Sequence, residues 1–309
     1  MTARFGERGD DVRAIVRRAD LERTVLRPAI PASTSIVRAP LERTALTDAF
    51  RDVDVVVHLA GVLWSVNAQA YVAVNVDGTR AVAQASRDAG ARLVHISSLA
   101  AAGPAPPSRP RVETDPPQPI TPYGRSKLDS ERAVQVVTGL RWTILRPGVV
   151  YGPGDRNMLP LFRAARAGFL PLVGRATAAY TFIHVSDTVR AIEAAIDNDA
   201  AGETIFVGHP QPVTARALLE GVRAAAGGRA RIVRVPAPVT LVAALCCELA
   251  GRLRGRPLLL NRSRYAEIAA EGFVCSVDRL RDRLGVVAQI GLGEGLAKTA
   301  EWYRQEGWL

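Results

Sequence analysis

Two hydrophobic periods alternate along the first two-thirds of this chain. Residues 12–18 (VRAIVRR) give a short β-like run after the turn Gly9-Asp10-Asp11, and 35–38 give a second. Residues 52–59 (DVDVVVHL) are apolar without strict alternation, as in a parallel strand covered on both faces. A helical stretch follows, with Ala70, Val74, Gly78, Ala81 and Ala85 on one face. Residues 92–98 (RLVHISS) predict another buried strand ending in two hydroxyls, and the proline-rich 104–122 predict a loop. A helix from Tyr123 to about Thr138 precedes a strand at 141–146 (RWTILR). Strands alternating with helices predict an α/β fold with a doubly wound parallel, Rossmann-like sheet, whose ligands sit at the carboxyl ends of the strands. Ala60, Gly61, Ser97, Ser98, Pro147 and Gly148 all fall at such ends.

Past Pro153 the pattern loosens. It predicts a helix at 159–167, a loop to Ala179, a strand at 180–184, a helix capped by Ser186-Asp187, and a strand at 204–207. The segment 236–260 (PAPVTLVAALCCELAGRLRGRPLLL) is strongly apolar, but its core of roughly fourteen residues is too short to span a bilayer. It predicts a buried helix or the wall of an apolar substrate pocket, ahead of an interfacial helix. In the tail helix at 295–304 and just beyond it, Trp302 and Trp308 are expected to pack. Length suggests two domains: 1–165 with 180–207 for nucleotide, and 166–179 with 208–309 as a smaller substrate-binding domain.

Composition changes this picture little. A formal charge of +10 permits nucleic-acid contact, but the arginines are scattered rather than gathered in one stripe, which argues against it. Cys246, Cys247 and Cys275 form neither a disulfide framework nor a metal set, and no metal is expected. His58, His95 and His184 sit in strand-like runs and read as core residues. With no secretory signal or membrane-spanning stretch in view, the reading is cytoplasmic, with no stable membrane insertion. A homodimer is left open.

Candidate chemistry centres on Tyr123-Gly124-Arg125-Ser126-Lys127. Residues four apart on a helix share a face, and Lys127 is one of only two lysines in the chain. An ammonium beside a phenol favours phenolate, so Lys127 is expected to lower the Tyr123 pKa and make it a general acid/base.

With VVVHLAG (55–61), NVDGT (75–79), HISSLAAAG (95–103), YGRSK (123–127), LRPGVVYGPGD (145–155) and FIHVSD (182–187) in order, the chain resembles the extended short-chain dehydrogenase/reductase family, the NAD(P)-dependent epimerase/dehydratase group. The resemblance implies that Ser98 donates to the reacting oxygen, Tyr123 exchanges the proton and Lys127 holds the cofactor ribose. Asn75 would shape the cofactor end of the site. Leu59, Ala60, Gly61, Ser97, Pro147, Gly148 and Val149 would flank the cofactor, and Leu99, Tyr151, Arg156 and Tyr180 the substrate.

Three departures stand out. The family's opening strand and Gly-rich turn have no counterpart: 1–9 read as the end of a first helix entering the turn before strand two, and Met1 is expected to be an internal residue of a longer enzyme. Ala39-Pro40-Leu41 replaces the usual Gly-Asp-Leu near adenine. Arg17 and Arg18 end the second strand where arginine suits a 2′-phosphate, favouring NADP over NAD. The absence of an arginine just before Phe182 and of an acid pair after Ser98 favours alcohol/ketone redox on a fairly apolar small-molecule substrate. A nucleotide-sugar epimerase/dehydratase, with Arg156 and Arg175 gripping a diphosphate, is the alternative. A non-catalytic binding module on the same fold is the second.

Overall fold

The computed structural model describes residues 1–16, 31–198, 200–255, 258 and 260–309. The strands are β1 (Arg13–Val16), β2 (Ser35–Arg38), β3 (Val55–His58), β4 (Arg92–Ile96), β5 (Trp142–Pro147), β6 (Val149–Tyr151), β7 (Phe169–Val173), β8 (Ala179–Tyr180), β9 (Phe182–His184), β10 (Glu203–Val207), β11 (Val213–Thr214), β12 (Arg231–Val235) and β13 (Gly272–Phe273). Helices α1 (Thr2–Glu7), α2 (Arg43–Ala49), α3 (Ala68–Tyr71), α4 (Gly78–Asp88), α5 (Leu99–Ala102), α6 (Pro122–Gln135) and α7 (Leu159–Arg166) alternate with the earlier strands. Then come α8 (Val185–Asp197), α9 (Ala215–Ala225), α10 (Ala237–Leu253), α11 (Arg262–Ala269), α12 (Asp278–Leu284) and α13 (Leu292–Gln305). A π-helical turn, Val72–Asp77, joins α3 to α4.

The central sheet is parallel, in the order β10-β5-β4-β3. Its strands are apolar on both faces because helices cover both: Leu93 and Ile144 pack with α2 and α4, and Val94 and Leu145 with α8. Burying each such side chain contributes about 1.5–3 kcal/mol. The parallel pair β1-β2 forms a separate two-stranded sheet among the described residues. Phe5 of α1 packs into the cluster that holds Val94, Leu145 and Ile183.

Four sequence expectations need correction. The loop to Ala179 contains β7, which pairs in parallel with β12. Leu170 and Leu172 point inward, and Pro171 between Gly168 and Gly174 disguised that alternation. Helix α8 is capped by His184, whose Nδ1 accepts Ser186 N at 3.3 Å, two residues before the expected Ser186-Asp187. The Asp187 carboxylate serves tertiary contacts instead, accepting from Gln289 N at 3.0 Å and Ile290 N at 2.9 Å. The apolar segment at 236–260 yields α10, which buries only Thr240, Ala244 and Gly251 and is not a buried helix. Lastly, Tyr151 is a core residue, edge-on to Phe182 and His184, with its hydroxyl donating to Gly291 O at 3.3 Å.

The histidines and tail tryptophans behave as read. His58 and His95 are buried and stacked 5.3 Å apart, their Nε2 atoms paired with Thr79 and Ser130 hydroxyls at 2.9 and 3.0 Å. Trp302 and Trp308 meet edge to face at 4.8 Å.

Candidate active site

Neighbouring strands β3, β4 and β5 deliver the expected segments to one sheet edge, and α6 brings the Tyr-Lys pair to it. Helix α6 starts where it does because the Thr121 hydroxyl accepts Gly124 N at 3.1 Å, with Pro122 in the first turn. Gly124 allows α6 to lie against α5: a Cβ there would stand 2.5 Å from Ala100 O. The glycine inside the motif is therefore a packing requirement.

Ser98 caps α5, accepting Ala100 N at 3.2 Å, and hydrogen-bonds the Tyr123 phenol. Tyr123 keeps partial access to solvent although protein surrounds it densely. That burial pushes its pKa up to about 12, against the lowering effect of Ser98 and with a smaller rise from the Glu267 charge. The expected lowering by Lys127 is not what the structure displays. Lys127 is buried one turn along, and its Nζ donates to Ile96 O at 2.7 Å, its one hydrogen bond among the described residues. Burial pulls the Lys127 pKa down to about 8, opposed by Glu131.

This ammonium is charged at a cost. Its folded pKa lies below the ordinary 10.5, so below pH 8 the penalty is present in full, and it fades as pH rises toward the unfolded value. Lys127→Met removes about 3 kcal/mol of penalty at pH 7 and gives up about 1 kcal/mol of hydrogen bond to Ile96 O. The expected result is a variant at least as stable as the parent at pH 7, with the advantage gone by pH 10. Urea unfolding at both pH values checks this; a variant several kcal/mol less stable at pH 7 would refute it.

Asn75, on the π-helical turn, is buried and fully engaged. Its Oδ1 accepts Val62 N at 2.7 Å, and its Nδ2 donates to Val62 O at 3.0 Å and Ser126 Oγ at 2.9 Å. It ties the loop after β3, where Leu59, Ala60 and Gly61 are exposed, to α6. Ser97 donates to Glu131, which also receives Arg146 Nε at 2.9 Å and Nη2 at 2.6 Å. Pro147 is buried and Val149 is exposed; Gly148 sits where a Cβ would fall 2.2 Å from Thr181 O.

Other expected residues do not join them. Leu99 is packed with Ala102, Phe206, Phe273 and Cys275. Arg156 stacks over Trp308 at 5.1 Å, and Arg175 pairs with Glu271 at 2.8 Å. Tyr180 is half-buried, close enough to Arg264 and Glu267 for both charges to act on its phenol. Arg17 and Arg18 lie outside the described residues.

A cavity of about 450 Å³ opens beside Tyr123. Leu63, Trp64, Val66, Tyr71, Ile120 and Leu258 supply its apolar and aromatic lining, and Glu248, Arg252, Arg262, Arg264 and Glu267 its charges. Those charges are paired: Glu248 holds Arg252 at 2.7 Å and Arg262 at 2.8 Å, and Arg264 meets Glu267 at 3.4 Å. Its arginines pull the Glu248 carboxyl down to about 2, whereas burial raises that of Glu267. Sequence reading offered 236–260 as a buried helix or a pocket wall, and Glu248, Gly251, Arg252 and Leu258 do line the cavity; it missed 63–71 and 261–267, because these segments meet only in the fold. The one local signal is Asn261, whose side chain accepts Arg264 N at 2.9 Å and starts α11.

Comparison with known proteins agrees with the fold. The model of the NAD dependent epimerase/dehydratase family matches residues 1–208. The chain is 30% identical over 268 residues to "Ceramide reductase" of Caulobacter vibrioides, covering 86% of this chain and 78% of the relative. It is 32% identical over 260 residues to "dTDP-6-deoxy-L-talose 4-dehydrogenase (NAD(P)(+))" of Kitasatospora kifunensis, covering 76% and 78%. The solved structure of MoeE5 in complex with UDP-glucose and NAD superposes with a TM-score of 0.76 at 26% identity, over 98% of this chain and 94% of the other. With the parallel sheet, the serine–tyrosine pair and the buried lysine meeting at one edge, this chain belongs to the NAD-dependent epimerase/dehydratase family.

Proposed function

We propose that this protein is an NAD(P)-dependent oxidoreductase acting on an alcohol or ketone of a fairly apolar substrate, with Tyr123 exchanging the proton. The observation that carries this reading is the state of the cavity's arginines. Arg252, Arg262 and Arg264 are all committed to carboxylates. A sugar-nucleotide diphosphate entering there would have to break those pairs and approach Glu248 and Glu267. An apolar substrate meets Trp64, Leu63 and Ile120 without that cost. Similarity to a ceramide reductase supports the same class.

Buried Lys127 suits a ribose, since an ammonium has three donors and Ile96 O engages one. When bound, the nicotinamide supplies or accepts the hydride. Ser98 steadies the substrate oxygen, Asn75 holds the 61–62 loop, and Pro147-Gly148 shape the adjoining wall. Segments 248–267 belong to the part, 208–309, that we assign to substrate. Arg17 and Arg18 support NADP over NAD.

The nucleotide-sugar reading has its own support in the dTDP-sugar dehydrogenase and in MoeE5, whose structure holds UDP-glucose. Following nicotinamide absorbance with long-chain keto-lipids, sterol ketones and UDP-hexoses, each with NADPH and NADH, separates the two. Turnover of the apolar ketones is expected; turnover of UDP-hexoses alone would overturn the proposal. Lys127 loses its charge as pH rises through about 8, so NADPH affinity should weaken above that pH in the parent and stay flat in Lys127→Met. Trp fluorescence titration reads this directly.

A further inference from the structure

Helix α10 carries its apolar stripe on the wrong side for a helix packed on its own core. Val242, Leu245, Leu249 and Leu253 fall at i, i+3, i+7 and i+11 and so share a face. That face looks into solvent, with exposures of 59%, 44%, 61% and 82%. The side facing the protein carries the smaller Thr240, Ala244 and Gly251. The strand before the helix also has an exposed apolar side. Register pairs Phe169 with Arg231 and Pro171 with Val233, which puts Phe169 and Val233 on one side of the β7–β12 ladder, both half exposed.

Charge around this stripe has one sign. The sole carboxylate on α10, Glu248, is held by Arg252 and Arg262. Arg231 and Arg234 before the helix and Arg254 at its end have no carboxylate partner among the described residues. A second copy of the chain is a poor occupant: in a two-fold contact along α10, either relative direction brings one arginine-bearing end against another. A surface that is apolar within and anionic at its rim satisfies both features.

We propose that α10 docks on an anionic phospholipid bilayer, with the helix lying in the headgroup plane. At 1.5 Å per residue its 17 residues extend about 25 Å. Among the described residues no helix is long and apolar enough to cross a membrane, so the contact stays at the interface. Docking needs no substrate and does not depend on the function proposed above. One consequence does rest on that function: Glu248, Gly251 and Arg252 of the same helix line the cavity, so a docked α10 holds the cavity beside the lipid from which an apolar substrate would come.

The test is co-sedimentation of the full chain with phosphatidylcholine vesicles, with and without phosphatidylglycerol. The parent should sediment with the phosphatidylglycerol vesicles, less with phosphatidylcholine alone, and less again at high salt. Leu245→Glu with Leu249→Glu should weaken vesicle binding at least about tenfold, while Val136→Glu, on exposed surface elsewhere, should not. NADPH binding and circular dichroism confirm that both variants stay folded. Equal sedimentation of the double variant and the parent overturns the proposal, as does failure of the parent to bind. Light scattering that finds a parent dimer, dispersed by the double variant and indifferent to vesicles, overturns it in favour of self-association.

Discussion

Replacing Arg146 with Leu lowers the stability of this protein by about 3–5 kcal/mol, the loss expected when one member of a buried ion pair is removed. The Arg146 and Glu131 side chains are 8% and 1% exposed and meet through two hydrogen bonds, at 2.9 and 2.6 Å. Ser97 donates to the same carboxylate, and the guanidinium lies 5.6 Å from the Phe206 ring. With the guanidinium gone, Glu131 is left buried with Ser97 as its remaining side-chain donor among the described residues and the charge of Lys127 nearby, without the two charged hydrogen bonds that offset its burial. The double variant Arg146→Leu/Glu131→Leu removes both charges and should recover most of the loss, because apolar replacement of a whole pair is close to neutral. Urea unfolding of the two singles and the double closes the cycle. A single variant within 1 kcal/mol of the parent, or a double no better than the single, refutes this account.

If Tyr123 moves the proton and does not hold the ribose, as we propose, Tyr123→Phe should lower kcat by about 10²–10⁴ while leaving cofactor affinity nearly unchanged. Only the hydrogen bond with Ser98 is lost, so stability should change by about 1 kcal/mol. The phenol, pushed up to about 12, keeps its proton at neutral pH. In the proposed role it is ready to give a proton during ketone reduction, and must first lose one to serve alcohol oxidation. Oxidation by the parent should accordingly quicken as pH rises from 7 to 10, and the Phe variant should lose that dependence. Full turnover by Tyr123→Phe would remove Tyr123 from the chemistry.

Much of the parallel-sheet part of the chain was legible because its signals are local. The unbroken apolar runs at 52–59 and 92–98 read as strands covered on both faces, and β3 and β4 lie within them. Tyr123 and Lys127 on one helix follow from a spacing of four. Failures came where a partner distant in sequence decided the outcome. Strand β7 depends on β12, and Asp187 was drawn from capping by the backbone at Gln289 and Ile290. Tyr151 and Leu99 have the composition of pocket residues and are core residues.

By itself the sequence determined the alternation of strand and helix, the sheet edge where small and hydroxyl residues gather, and the placement of a phenol and an ammonium one turn apart on one helix. Each rests on residues close together in the chain: an unbroken apolar run, the residues that end it, or a spacing of four. Tertiary structure alone decided that Lys127 reaches Ile96 O, that burial raises the Tyr123 pKa, and that the cavity's arginines are already paired. It alone decided, too, that α10 turns its leucines outward. Desolvation and ion pairing depend on what surrounds a group, and those surroundings are assembled from segments far apart in the chain.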